Sequence, residues 1–142
     1  MGSRLGIRFE NLEPRAWTKK GIKMARHNFK KLKIWQESIK LVSLSYKLTK
    51  TFPESEKYNL VSQMNRSAVS IPSNIAEGSS KSTDKHFKKF LEDSLGSAFE
   101  WETQLIVAYN ENLLALENFN DLENKILQIQ KMIGAMINNL EK

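Results

Sequence analysis

The stretch from Val61 to Gly78, VSQMNRSAVSIPSNIAEG, constrains the fold more than any other part of the chain. Proline lacks the N–H that would bond to the carbonyl four residues earlier, and its ring crowds that carbonyl, so Pro72 should disturb a helix here. The apolar spacing continues unchanged beyond it, which predicts one long, kinked helix that ends at Gly78 in a left-handed conformation. The apolar residues recur at steps of three and four, the spacing of one helix face: Val61, Met64, Ala68, Ile71 and Ile75.

A first amphipathic helix is predicted from Phe29 or Leu32 to Thr51. Pro53 sets its end, because the residue before a proline avoids the helical region. The second helix is predicted to begin near Glu54, whose carboxylate suits a helix N-terminus. The apolar face of the first helix is predicted to be Leu32, Trp35, Ile39, Val42 and Tyr46. Aromatic residues at helical spacing usually pack, so both aromatics of this face are predicted to lie in the core.

Two more helices follow in the sequence. The third is predicted to be capped by Ser82 or Thr83 and to run to about Asn112. Its apolar face is Phe87, Leu91, Ser94, Ala98, Trp101, Leu105 and Ala108. Asn120 with Glu123 resembles a capping box and predicts the start of the fourth helix. The stripe of that helix is Leu122, Ile126, Ile129, Ile133, Met136 and Leu140. Four amphipathic helices joined by short loops predict an all-α, antiparallel, up-down-up-down four-helix bundle.

The composition narrows the class of protein. A chain of 142 residues fits one domain and can bury a core. It has no cysteine, which leaves no disulfide and no thiolate metal site, and the cytoplasm is the expected compartment. No apolar run approaches the length that crosses a bilayer, so no membrane partner is expected.

The net charge of +6 is unevenly distributed along the chain. Residues 1–50 hold thirteen basic and three acidic residues, whereas residues 51–142 hold nine basic and thirteen acidic residues. A basic end favours a phosphate-binding arm, and the alternative is a solvated tail. Residues 1–28 lack a sustained period and are predicted to be an irregular leader, disordered or not native, with Met24 as the natural start. The bundle is predicted to occupy residues 29–142.

Lysines cluster in the first helix and at the corner between helices two and three. Summed positive fields attract nucleic acid without reading its sequence, and an oligomer would multiply them. The alternative is again a solvated face. The candidate nucleic-acid-binding residues are Lys30, Lys31, Lys33, Lys40, Lys81, Lys85, Lys88 and Lys89.

Polar residues are interleaved with the apolar ones in helices two and three. Burying ionic groups is costly unless they are paired, so Arg66 is predicted to face a carboxylate of helix three: Glu92, Asp93 or Glu100. Asn74 is predicted to satisfy the carbonyl that the proline leaves free, or to reach a neighbouring subunit. An architectural role is predicted for Gln63, Arg66, Ser70, Asn74, Glu77, Gly78, Ser97 and Glu100.

Signals for catalysis are weak. The two histidines, His27 and His86, have no metal-ligand spacing, and no glycine-rich phosphate loop occurs. Asp84 and His86 lie near several serines, but nothing in the sequence orients them as a triad. A carboxylate pair such as Glu77 and Glu100 could act as acid and base. The chain is predicted to be no enzyme and to need no metal or cofactor.

Three segments carry a resemblance to a known family. They are KLKIWQESIKLV at 31–42, RSAVSIPSNIAEG at 66–78 and FLEDSLGSAFEWETQL at 90–105, of which the second is the most specific. From about Phe29 onward the chain resembles the 23S rRNA intervening-sequence proteins, also called four-helix bundle proteins. The resemblance implies a small bacterial helical bundle that assembles into a ring-like homo-oligomer, a pentamer, without established enzymatic activity.

The chain is also distantly similar to the accessory variability proteins of diversity-generating retroelements. Those bundles bind nucleic acid and a reverse transcriptase, so the resemblance makes nucleic acid or a ribonucleoprotein the leading partner. One alternative is a protein-interaction scaffold without a nucleic-acid role, and another is an RNA-processing enzyme. Self-association is also expected from apolar residues outside the stripes, some of which should be exposed on a monomer: Leu41, Leu44, Leu60, Val69, Leu95, Ile106 and Val107.

Overall fold

The structure, a computed structural model, describes residues 28–141. The predicted leader, residues 1–28, lies outside this range except for Asn28. A 3-10 turn at Phe29–Lys31 comes first, and a second one, Glu54–Glu56, lies between the first two helices. The four α-helices are α1 Lys33–Thr49, α2 Leu60–Ser79, α3 Asp84–Asn110 and α4 Leu116–Leu140. No strand occurs within the described range, which confirms an all-α bundle.

Cross-helix hydrogen bonds and ion pairs show that neighbouring helices run antiparallel. Ser67 and Ile71 of α2 contact Gln104 and Ser94 of α3, so moving up one helix means moving down the other. The same order holds between α3 and α4, in the pairs Lys88 with Glu141 and Glu102 with Gln130. The packing between α2 and α3 is the most extensive, and that between α1 and α4 the least. No helix within residues 28–141 is long and apolar enough to cross a membrane.

The antiparallel order gives the bundle two distinct ends. We call one the lysine end: it is formed by the start of α1, the loop between α2 and α3, and the end of α4. The opposite end is formed by the connections from α1 to α2 and from α3 to α4.

The core follows the predicted stripes closely in α3. All seven residues of the predicted α3 face are buried, and Trp101 and Phe87 are its largest fully buried side chains. In α4 the first four predicted residues are buried, but Ile137 takes the place predicted for Met136. In α2 the apolar face is also buried, except that Val61 is half-buried.

The predicted face of α1 is confirmed in part, because Trp35 is buried and Leu32, Ile39 and Val42 pack half-buried against the core. The buried apolar residues are Ile34, Trp35, Leu41 and Leu48, while Tyr46 is 46% exposed. Ser38, Ser45 and Thr49 share the core face because their hydroxyls have partners, for example the Trp35 carbonyl for Ser38 and the Asn65 side chain for Ser45 and Thr49. A pattern that scores only apolar residues therefore misses the buried serines and shifts the predicted face toward Tyr46.

Two helix starts differ from the prediction. Glu54 belongs to a separate 3-10 turn, and α2 begins later, at Leu60. The predicted capping box of α4 is also wrong, because Ala115 is the N-cap and Asn120 lies inside the helix. The earlier start of α4 allows Phe119 to pack against Tyr109 of α3, with ring centroids 4.8 Å apart.

The ends of α3 agree with the sequence. The Thr83 hydroxyl accepts a hydrogen bond from the His86 backbone N–H at 3.2 Å and caps the helix. At the other end Asn112 has a φ of 64°, and the backbone N–H of Leu113 donates to the Ala108 carbonyl at 2.9 Å. This is the left-handed residue and the long return bond of a Schellman ending.

The α2 helix passes through Pro72 without a break, as predicted. The prediction for Gly78 is wrong, because Gly78 lies within α2 and the helix ends at Ser79. A glycine is needed here because a side chain would collide with α3. A Cβ at this position would lie 2.7 Å from the Phe90 Cβ and 2.9 Å from Cδ1 of Phe87. Gly78 therefore allows the start of α3 to approach the end of α2.

Candidate functional site

The eight candidate lysines all lie in the half of the bundle nearest the lysine end. Lys30 and Lys31 are in the first 3-10 turn, and Lys33 begins α1. Lys40 lies in the first half of α1. The others lie in the loop between α2 and α3 or in the first turns of α3: Lys81, Lys85, Lys88 and Lys89. The antiparallel fold thus brings the two sequence clusters to one end.

Three of these lysines are paired with carboxylates. Lys88 Nζ lies 2.6 Å from Glu141 Oε2, and this hydrogen bond raises the pKa of the Lys88 ammonium. Lys89 lies 3.4 Å from Asp93 on the next turn of α3. Lys40 lies 3.2 Å from Glu37. Pairing of this kind lowers the positive field that the corner presents to a ligand.

Aromatic contacts position another part of the corner. The ammonium of Lys81 lies 4.9 Å from the Phe90 ring centroid, and that of Lys89 lies 5.6 Å from the same ring. Lys31, Lys33 and Lys85 are exposed and make no ion pair within residues 28–141. These three lysines are the ones best placed to meet a phosphate.

The described bundle is electrically balanced. Residues 28–141 hold fourteen basic and fourteen acidic residues, so the net charge of +6 comes from residues 1–27 and Lys142. A positive surface on the bundle is therefore local to the lysine end and does not extend over the whole domain.

One ion pair, between Glu37 of α1 and Lys125 of α4, was not predicted from the sequence. Glu37 accepts hydrogen bonds from Lys125 of α4 and from Lys40 of its own helix. The Glu37 and Lys125 side chains are only 15% and 21% exposed, so their ion pair is mostly shielded from water. The hydrogen bond from Lys125 holds the pKa of the Glu37 carboxyl below its ordinary value, against a smaller opposing effect of burial. This ion pair joins α1 to α4, the two neighbouring helices with the least extensive packing.

A row of polar contacts joins α2 to α3. Ser67 donates to Gln104 at 2.7 Å, and the Gln104 amide donates to Glu100 at 3.3 Å. Ser97 donates to Ser70 at 2.9 Å. This row of contacts keeps the two helices in register. Five of the predicted architectural positions lie on or beside it: Ser70, Asn74, Gly78, Ser97 and Glu100.

The Asn74 side chain does not satisfy the carbonyl predicted for it, and its contact with a neighbouring subunit stays a prediction. Its amide donates to the backbone carbonyl and the hydroxyl of Ser70, at 3.0 and 3.1 Å, and not to the carbonyl of residue 68. Asn74 therefore stabilises its own helix at Ser70, two residues beyond the carbonyl that Pro72 leaves without a donor. Gln63 and Glu77 are exposed on the outer surface of α2.

The predicted ion pair between Arg66 and α3 is wrong. Arg66 is exposed and makes no ion pair within residues 28–141. The reason is helical geometry: Ser67 and Ser70 face α3, and a residue one position before Ser67 points about 100° away from it. Arg66 lines a surface groove between α1 and α2 together with Tyr46, Ser62, Asn65, Val69 and Ser70.

The histidine and two of the serines considered for catalysis have structural partners. His86 Nδ1 lies 2.9 Å from the Thr83 hydroxyl at the exposed start of α3. The hydroxyls of Ser79 and Ser80 donate to backbone carbonyls of their own helix, at Ala76 and Glu77. Within residues 28–141 no three His, Cys, Asp or Glu side chains are grouped to hold a metal ion.

Comparison with known proteins supports the fold. A crystal structure of a protein of unknown function from the S23 ribosomal protein family of Bacteroides thetaiotaomicron is similar, with a TM-score of 0.67. It shares 22% sequence identity over 73% of this chain and 97% of that one. A comparison with curated proteins gives no match.

The family model described as "23S rRNA-intervening sequence protein" matches residues 30–135. That range includes all four helices except the last residues of α4. Neither this description nor that of the similar crystal structure names an enzymatic activity. The match spans most of the chain, and it covers the three segments whose resemblance was noted from sequence. The chain therefore belongs to the 23S rRNA-intervening sequence protein family.

Proposed function

We propose that this protein is a non-enzymatic helical bundle that assembles into a homo-oligomer and binds nucleic acid or a ribonucleoprotein through its lysine end. The observation that carries the proposal is the placement of all eight candidate lysines toward one end of the bundle. The sequence resemblance gives five as the number of subunits. An oligomer presents several lysine ends at once, and linked weak sites bind much more tightly than one.

Exposed apolar side chains support self-association. Val69 is 39% exposed, Phe99 50%, Ile106 38% and Val107 43%. Seven apolar residues lie outside the predicted stripes, and some of them were expected to be exposed. Val69, Ile106 and Val107 are exposed, Leu44 and Leu95 are half-buried, and Leu41 and Leu60 are buried. Val69 lines one groove together with the exposed Tyr46, and contiguous exposed apolar side chains mark protein–protein contacts, whereas single ones such as Ile106 are ordinary on a protein surface.

A charge-reversal experiment tests the nucleic-acid site. We expect Lys33→Glu with Lys85→Glu to weaken binding of the full chain to mixed RNA and DNA and to reduce the salt slope by about two. The matched control is Lys47→Glu with Lys50→Glu, which changes the charge equally at the opposite end. All four lysines are exposed and lack an ion pair within residues 28–141. Equal loss of affinity in the two double variants would contradict a site at the lysine end.

A protein-interaction scaffold is the second candidate. The balanced charge of residues 28–141 favours it, because a neutral bundle gives little general attraction for phosphates. Fluorescence anisotropy with labelled RNA and single-stranded DNA at low salt separates the two. Absence of binding by the full chain, with its oligomer intact, would leave the scaffold as the function.

A further inference from the structure

The α1 helix carries a second apolar row beside its buried face, and the core covers Ile39 and Val42 of this row only in part. Ile39, Val42 and Tyr46 follow one another at steps of three and four, so they share a face. Ile39 and Val42 are half-buried, and Tyr46 is 46% exposed. Val69 of α2 lies in the same groove as Tyr46 and is 39% exposed. We call the surface of Ile39, Val42, Tyr46, Arg66 and Val69 the Arg66 face.

The cation at this face has no carboxylate of its own. Arg66 lines the groove together with the apolar Val69 and the polar side chains of Ser62 and Asn65, and it makes no ion pair within residues 28–141. A guanidinium forms its strongest hydrogen bonds with a carboxylate, and the apolar groups beside Arg66 favour a partner surface that carries apolar side chains next to that carboxylate.

The neighbouring side of the bundle has the complementary properties. Glu100 is exposed on the flank of α3 that faces α2, and its carboxylate accepts a hydrogen bond from Gln104. Val107 lies two helical turns further along and is 43% exposed. A groove beside it includes the carboxylates Glu56 and Glu111. We call the surface of Glu56, Glu100, Val107 and Glu111 the Glu100 face.

We propose that the Arg66 face of one copy of this chain packs against the Glu100 face of a second copy. Arg66 would meet the neighbour's Glu100, and the apolar side chains of Tyr46 and Val69 would cover the neighbour's Val107. The inference rests on the proposed homo-oligomer and assigns its interface. Opposite charge at apolar contacts is the arrangement that fixes orientation between proteins.

The two faces also determine the kind of assembly. They are different surfaces, so the contact is head-to-tail, and such contacts form rings when the rotation closes. The Arg66 face lies on α1 and α2, whereas the Glu100 face lies on α3, its C-cap and the 3-10 turn before α2. A closed ring would occupy both faces of every copy, as the proposed homo-oligomer requires.

A matched pair of substitutions tests the faces. Val69 and Ile106 are β-branched residues of almost equal exposure, 39% and 38%. Ile106 lies on the other flank of α3, one turn after Glu102, which bonds to Gln130 of α4. In sedimentation of the full chain across a dilution series, we expect Val69→Asp to weaken association about tenfold or more and Ile106→Asp to leave it unchanged. Dissociation by Ile106→Asp alone would overturn the assignment.

A charge swap tests the ion pair. Arg66→Glu and Glu100→Arg should each weaken association about tenfold or more, and the double variant should restore it because each contact regains opposite charges. A double variant as dissociated as the single ones would overturn the pairing. An Arg66→Glu variant that stays assembled but loses RNA binding would show that the groove binds nucleic acid, and this result would also overturn the proposed ion pair.

The outcomes separate this inference from the proposed function. A parent chain that sediments as a monomer at every concentration contradicts the homo-oligomer and the interface together. A parent that assembles while Val69→Asp assembles equally well contradicts the interface alone. Circular dichroism of each variant shows that the bundle is folded, as expected for substitutions at exposed positions.

Discussion

The indole N–H of Trp101 on α3 donates a hydrogen bond to the Ser45 hydroxyl of α1, 3.0 Å away. Ser45 in turn donates to the side-chain oxygen of Asn65 on α2, also at 3.0 Å, and Asn65 bonds to Thr49. Trp101 and Ser45 are fully buried. Three helices thus share one satisfied polar network in the core, and it fixes the rotation and height of α1 against its neighbours.

Ser45→Ala should destabilise the bundle by about 1–3 kcal/mol, because the buried indole N–H of Trp101 loses its acceptor. The side chain is otherwise almost the same size, so cavity effects are small. Urea denaturation followed by circular dichroism measures the change. Ser43→Ala, at a half-buried position on the same helix, is the control and should change stability by less than about 0.5 kcal/mol. Equal stability of Ser45→Ala and the parent would show that the network contributes no net stability.

Gly78→Ala should destabilise the bundle by about 1–3 kcal/mol through overpacking. The new Cβ would lie 2.7 Å from the Cβ of Phe90, an atom fixed to its backbone, so α3 must move away from α2. Gly134→Ala is the control, since no heavy atom lies within 4 Å of a Cβ there. That variant should gain up to about 1 kcal/mol from helix propensity. Thermal melts of both variants give the comparison, and a stabilised Gly78→Ala would contradict the close approach.

Glu37→Gln should cost about 1–2 kcal/mol at neutral pH, because it weakens a mostly buried ion pair with Lys125. The pKa of Glu37 is lowered in the folded state by the hydrogen bond from Lys125, so the stabilisation is complete above about pH 4.5 and is lost as the pH falls through the lowered pKa. The difference between parent and variant should therefore shrink in acid.

The control for this pH dependence is Glu54→Gln. Glu54 lies 3.8 Å from Lys57 with its side chain 87% exposed, so its pair is screened by water. Urea midpoints measured from neutral pH into acid should show little difference from the parent. A Glu37→Gln difference that grows as the pH falls would reverse the assigned sign.

Thr83→Ala should destabilise the protein by about 0.5–2 kcal/mol, since the His86 backbone N–H loses its cap. The sequence allowed either Ser82 or Thr83 in this role, and the structure selects Thr83. Ser82→Ala should therefore melt within error of the parent. The reverse order of melting temperatures would move the start of α3 by one residue.

The α3 stripe was predictable because every turn supplies an apolar or small residue at the same angle, from Phe87 to Ala108. The α1 face was predictable only in part, because its core side alternates leucines with serines such as Ser38 and Ser45. Their burial depends on partners that lie on other helices or on backbone carbonyls. The burial of Ser38 and Ser45 is therefore visible only after the helices are assembled, unlike that of Ser94, which continues the apolar spacing of α3.

The candidate site shows the same division. The positions of the lysines follow from helix order and antiparallel packing, both of which the sequence indicates. Their pairing does not, because Glu141, which neutralises Lys88, is distant in sequence and meets it only when α4 packs on α3. Arg66 differs for a geometric reason: its partner was expected on α3, but the phase of α2 directs its side chain toward the groove beside Tyr46.

The sparse packing between α1 and α4 determines where the protein opens. The α2–α3 hairpin joins neighbours in sequence through a short loop and has the most extensive packing, so it is the part that should form early and persist. Separation of α1 from α4 breaks few contacts besides the Glu37–Lys125 pair. Backbone amides of α1 should thus exchange with solvent deuterium through local opening at a lower free energy than those of α2 and α3. At the lysine end, the lysines that α1 contributes can then move relative to those that the α2–α3 hairpin holds in place.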